Sequence, residues 1–271
     1  MASDGPAPPV LALPGPAYCY RYGGDFVING HAIVVHQEGG QGRGTAWAVW
    51  DGAPAAAKYL EAAAAELLAR HAFRCILELG SGTGLAGLAA AAALQLPTTL
   101  TDLPEALPAL QLNIAANPGL AQLVAAAQLD WRDPGASPAL QDGRRGGGGS
   151  GSCSGTDGSS GSGGGDSSST HRSGGNDASS GGRLVLAADC VWLEELVPAF
   201  VGALERAAAG PADRALLSYQ SRSNRIDDLL FGLLKRSFEI ETVPLLPGEQ
   251  PRGPIDLYWL TPNCAAAAAN V

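Results

Sequence analysis

In the segment CILELGSGTGLAG, residues 75–87, an apolar run of strand length (Ile76, Leu77, Leu79) meets glycines at alternate positions, Gly80, Gly82 and Gly84. LAGLAAAAAL, residues 85–94, continues as a helix. The segment therefore predicts a strand, a tight turn and a helix start. Glycines in such a turn permit positive φ and close backbone approach, and the first N–H groups of the helix point at whatever sits above them. A polar ligand, part of a nucleotide, suits that geometry.

Two ligand classes use it. Gly82, Gly84 and Gly87 satisfy the dinucleotide spacing G-x-G-x-x-G, and Asp102 at the end of TTLTD has the separation expected of a ribose carboxylate, so an NAD(P)-dependent oxidoreductase is one reading. Against it, Glu78 lies inside the strand where that fingerprint expects a plain apolar run. A glycine-rich turn without a ligand is the third reading, but alternate glycines cost chain entropy without improving packing.

Composition narrows the classes. The 271 residues are 46% hydrophobic, enough for a sizeable core. Seventeen basic against 26 acidic residues give a net charge of −9, which argues against a nucleic-acid surface. Cys19, Cys75, Cys153, Cys190 and Cys264 are scattered, odd in number and without C-x-x-C spacing, which indicates neither a disulfide framework nor a zinc site. The N-terminus has no secretory pattern and no run reaches transmembrane length, so the expectation is a cytoplasmic or nuclear monomer with no membrane partner.

Along the chain, residues 1–15 read as a mobile tail rich in proline and alanine, and 16–263 as one domain. A β-hairpin over about 18–36 is expected around Asn29-Gly30, a type I′ turn dipeptide. Asp51 can cap a helix with Pro54 in its first turn. Strands and helices then alternate, implying parallel pairing. In 143–182, 28 of 40 residues are glycine or serine, a disordered insertion that loop entropy tolerates. Alternation resumes with RLVLAAD and closes with two consecutive strands, EIETVPL and DLYWL, so the last should run antiparallel to the others. The alanine-rich end, 264–271, is low complexity. The expected fold is α/β: a Rossmann-like seven-stranded sheet, mostly parallel with an antiparallel last strand, helices on both faces and an N-terminal β-hairpin.

FVINGHAIVV, AVWDGAPAAAKYLE, ILELGSGTGLAG, TDLPEALPALQLN and ADCVW, in this order, resemble the motifs of methyltransferase family 16, seven-strand S-adenosylmethionine enzymes that largely methylate protein lysines. The resemblance covers nearly the whole chain except the insertion and both tails. It implies S-adenosyl-L-methionine as cofactor, bound by Trp50, Glu78, Gly80, Gly82, Gly84, Asp102, Trp131 and Ala188. Glu78 would brace the loop or reach the amino group, Asp102 would accept both ribose hydroxyls, and Trp131 would stack on adenine. It further implies a protein partner carrying the target lysine, received by Asp189 and Trp192. A carboxylate can orient the nitrogen and an aromatic face can bind a cation, while partial burial favours the neutral amine. Trp192 departs from the family, which has tyrosine or phenylalanine there. Simpler roles fit the same residues: Trp131 as cover for the sheet end, Asp102 and Asp189 as helix caps, and Asn113 as a brace. A small-molecule methyltransferase and a catalytically silent cofactor-binding protein remain open alongside the oxidoreductase.

Overall fold

The computed structural model describes residues 27–37, 45–141, 181–244 and 254–263. The expected tails at 1–15 and 264–271, the first part of the hairpin and nearly all of the insertion lie outside the described residues. What is described of the hairpin is β1 (Val27–Ile28) paired with β2 (His31–Ala32), joined at Asn29 and Gly30 with φ of 48° and 79°, the two positive values that a type I′ turn requires.

The chain then runs through α1 (Gly52–Arg70), β3 (Phe73–Leu79), α2 (Leu85–Leu94), β4 (Thr98–Asp102), α3 (Leu107–Ala115) and β5 (Val124–Gln128). A short α4 (Pro138–Gln141) follows, then β6 (Gly182–Ala188), α5 (Val197–Ala207), β7 (Arg214–Gln220), α6 (Asn224–Ser237), β8 (Phe238–Thr242) and β9 (Ile255–Pro262). Seven of these strands form one sheet in the order β5-β4-β3-β6-β7-β9-β8. All neighbours pair parallel except β9, which is antiparallel to both β7 and β8. The antiparallel last strand is as expected; that it inserts between β7 and β8 is not visible in the sequence.

Period-two alternation in the central strands builds a core on each face. Ile76, Leu184, Leu186 and Leu216 join residues of α1 and α2 on one face. Leu77, Val185, Ala187 and Leu217 join residues of α5 and α6 on the other. α2 is buried along its whole length, which is why it is alanine-rich without a polar face. Differences from expectation are local. Gly182, assigned to the insertion, opens β6, and a Cβ there would lie 2.0 Å from Ala212 O. α3 begins at Leu107, and neither Asp51 nor Asp102 caps a helix through its side chain. Ser223 does cap α6, accepting from Ile226 N at 3.3 Å.

Candidate active site

The candidate site residues singled out by sequence fall at or near the carboxyl edge of the sheet. The strand order reverses between β3 and β6, and in open α/β sheets ligands bind beyond the strand ends at such a point. There the glycine turn leaves β3 with φ of 65°, 53° and 83° at Gly80, Gly82 and Gly84, values that side-chain-bearing residues rarely adopt. The turn is stapled to β4: Ser81 N donates to Thr101 O at 2.9 Å, Thr101 N to Ser81 Oγ at 3.0 Å and Thr101 Oγ1 to Glu78 O at 2.5 Å. This register puts Gly82 N–H 2.7 Å from Asp102 Oδ2, while Leu103 N–H donates to Oδ1 at 2.8 Å. Each oxygen keeps a lone pair for a further donor, so the carboxylate is pre-aimed to accept two hydroxyls.

The glycines do different work. Only Gly82 leaves room beside backbone, the nearest atom to a Cβ there being Ala46 O at 3.4 Å. A Cβ at Gly80 would meet Trp131 Cζ2 at 2.8 Å and Cys190 Cβ at 2.9 Å, and one at Gly84 would meet Leu100 and Leu110. The bare cradle is thus centred on Gly82, with its neighbours fixed by positive φ and packing.

Glu78 is buried and its Oε2 accepts Gly87 N at 3.2 Å, so its carboxyl braces the first turn of α2. Burial pushes its pKa up to about 8, with the Ser81 and Gly87 hydrogen bonds opposing and Asp102 adding to the rise. Burial also raises Asp102, against the Gly82 and Leu103 N–H groups. Cys190 is pushed far up by burial and by the charges of Asp189, Asp102 and Glu78, which keeps it a thiol.

On the β6 and β7 side, Ala188 ends its strand opposite Ser218, and the next residue, Asp189, turns left-handed at φ 50°, a conformation aspartate tolerates. Its side chain is wholly buried. Sequence reasoning missed its partner: Arg222 Nη2 lies 2.8 and 2.7 Å from the two carboxylate oxygens. Burial raises the Asp189 carboxyl above its ordinary value, and Arg222 opposes that rise. The Arg222 guanidinium carbon sits 5.8 Å from the Trp50 ring centroid, and Trp50 Nε1 is anchored on Thr45 O at 2.9 Å. Gly52 makes the approach possible, since a Cβ there would be 2.7 Å from Asp189 Cβ; Ser218 Oγ closes the contact by donating to Gly52 O at 2.8 Å.

Aromatic expectations are redistributed. Trp192 is 41% exposed, and among the described residues neither a ring nor a cation is set against it; the ring that meets a cation beside Asp189 is that of Trp50. Trp131 packs edge-on to Phe200 at 5.2 Å and over Gly80, half-buried, covering the end of the sheet. Asn113 is a brace: fully buried, it accepts from His36 N at 2.8 Å and donates to His36 O and Thr83 O at 3.2 and 2.8 Å. Asn117, one turn on, treats Val34 the same way at 2.9 and 2.7 Å. Asn113 lies in α3 and Asn117 two residues past its end, and their spacing of four was the signal that could have revealed this pairing.

The strand order, the carboxylate clamp over a glycine turn and the second, buried acidic centre define a Rossmann-like α/β fold with a candidate nucleotide site at its switch point. Comparison with known sequences shows what the chain is similar to. The family model described as lysine methyltransferase matches residues 28–142. Protein N-lysine methyltransferase METTL21A of Danio rerio is 28% identical over 233 residues, 85% of each chain. EEF1A lysine methyltransferase 3 of Mus musculus is 36% identical over 99 residues, 36% of this chain and 40% of that protein. METTL21A of Mus musculus is 41% identical over 92 residues, 34% of this chain and 39% of that one.

Proposed function

We propose that this chain is an S-adenosylmethionine-dependent N-methyltransferase acting on a lysine side chain of another protein. The observation that carries the reading is the Asp102 carboxylate, held at the end of β4 by Gly82 N–H with lone pairs left over, in a chain whose residues 28–142 match the lysine methyltransferase family model. The residues fit the cofactor: Asp102 suits a ribose diol, the space at Gly82 suits a chain lying on bare backbone, and Glu78 offers a carboxyl close to the glycine turn.

Held by Asp102 and the backbone at Gly82, S-adenosylmethionine would supply a sulfonium methyl group for the lysine nitrogen, the sulfur keeping the electron pair of the broken S–C bond. The protein's part is placement. The buried Asp189 centre can orient the incoming amine beside it, and no covalent enzyme intermediate is needed, consistent with a Cys190 thiol that burial keeps protonated. A lysine must arrive as the free amine, because its ammonium form has no lone pair.

Incubating the protein with tritium-methyl S-adenosylmethionine and a cell lysate tests this. Wild type should label a discrete protein band, with the label on lysine after hydrolysis, and Asp102→Ala should label nothing. Equal labelling by both would reject the site, and a thermal shift with NADH but none with S-adenosylhomocysteine would reject the class.

A further inference from the structure

The acceptor carboxylate already holds a cation from its own chain. One Arg222 nitrogen bridges both oxygens of Asp189, the carboxylate side chain has no exposure and that of Arg222 only 16%. We infer that Arg222 is a positioning residue of the acceptor site: it stays on Asp189 during turnover, making the pair neutral, so that the target lysine is received beside the pair as a free amine. The inference rests on the methyltransferase reading above.

Two observations favour a resident Arg222 over a plug that substrate displaces. The Asp189 side chain has no exposure and that of Arg222 only 16%, so lifting the guanidinium away would strand a buried carboxylate. The guanidinium is set over the Trp50 ring, whose indole nitrogen is itself tied to Thr45 O.

The chemistry follows from charge. A bare buried carboxylate would bind the ammonium form and hold it unreactive, whereas a fixed cation at short range disfavours a second positive charge and shifts the lysine toward the amine. The other groups around the pair add little positive charge. Tyr219 donates its hydroxyl to Asp227 at 2.7 Å, the Cys190 thiol stays neutral, and Asp51 opens α1 beside Gly52. Among the described residues, Arg222 is the cation set on Asp189.

The test compares wild type with R222K, R222M, D189N and the R222M/D189N double variant, using S-adenosylhomocysteine binding, thermal unfolding and the initial rate of tritium labelling of the main lysate band from pH 6 to 9. R222M should lower the melting temperature by roughly 10 °C by stranding a buried carboxylate, and the double variant should recover at least half of that. Homocysteine-nucleoside binding should stay within about twofold of wild type in all variants, and R222M should label at least about tenfold more slowly, its rising pH limb displaced upward. R222K should recover part of the rate. Faster labelling by R222M would make Arg222 a plug and overturn the inference, as would an unchanged rate and pH profile. Wild type that binds S-adenosylhomocysteine yet labels no protein would remove the acceptor reading and this inference with it, whereas a labelling wild type matched by R222M removes this inference alone. Should R222M fail to fold, R222K carries the same comparison of rate and pH profile.

Discussion

The two halves of the crevice satisfy buried carboxylates by different means. Over β3 and β4, Glu78 and Asp102 are held by backbone N–H groups of the glycine turn and α2, dipoles that the fold fixes and that no side-chain motion can withdraw. Over β6 and β7, Asp189 is held by a guanidinium from the loop after β7, thirty-three residues further along the chain. The first arrangement suits a ligand of constant shape, recognised by hydroxyls and a backbone surface. The second places a charge beside the reacting nitrogen, where its sign decides which protonation state can react.

The difference can be broken by substitution, and the largest effect is expected where a charge is stranded. Arg222→Met should lose about 3–5 kcal/mol of unfolding free energy, measured in denaturant, because a buried carboxylate loses its counter-ion. A loss below about 1 kcal/mol would mean the pair does not form in solution. Gly80→Ala comes next, at about 2–4 kcal/mol, from a left-handed residue carrying a side chain and a Cβ driven into Trp131 and Cys190. Near-ultraviolet dichroism should report the displaced Trp131.

The third effect concerns pH. Glu78 has a folded pKa of about 8 against an ordinary 4.5, so the native state binds the extra proton. The stability this confers is complete below pH 4.5 and is lost as pH rises through 8. Glu78→Gln should flatten that decline, leaving the variant less pH-sensitive than wild type by about 2 kcal/mol across the window, allowing for relaxation around the buried group. Parallel stability curves for the two proteins would contradict the assignment. The smallest effect belongs to Arg70→Ala, where an ion pair to Glu66 one helical turn away lies in solvent, the two side chains 68% and 60% exposed; urea titration should show less than about 0.5 kcal/mol.

The same contrast explains what the sequence reveals. The glycine turn and its acidic partners are legible because they are local: strand period, alternate glycines and a carboxylate at the next strand end are all set within about thirty residues. Asn29-Gly30 is legible for the same reason. Arg222 is not, because nothing in SRSNR distinguishes a solvent-facing arginine from one folded back on another strand's aspartate. That the Trp50 ring meets Arg222 is hidden for a related reason, since the face an indole presents depends on how α1 seats at Gly52 over Ser218. The insertion of β9 between β7 and β8 is likewise a long-range outcome that strand patterning does not encode.

Calorimetric titration of S-adenosylhomocysteine into wild type, Asp102→Asn and Asp189→Asn is the most direct measurement of the proposed division of labour. Replacing Asp102 should weaken binding by about 1.5–3 kcal/mol, the range for hydrogen bonds to a charged group, while Asp189→Asn should bind as wild type does and lose labelling of protein. Wild type that fails to bind the nucleoside, or an Asp102→Asn variant that binds it unchanged, would contradict the account.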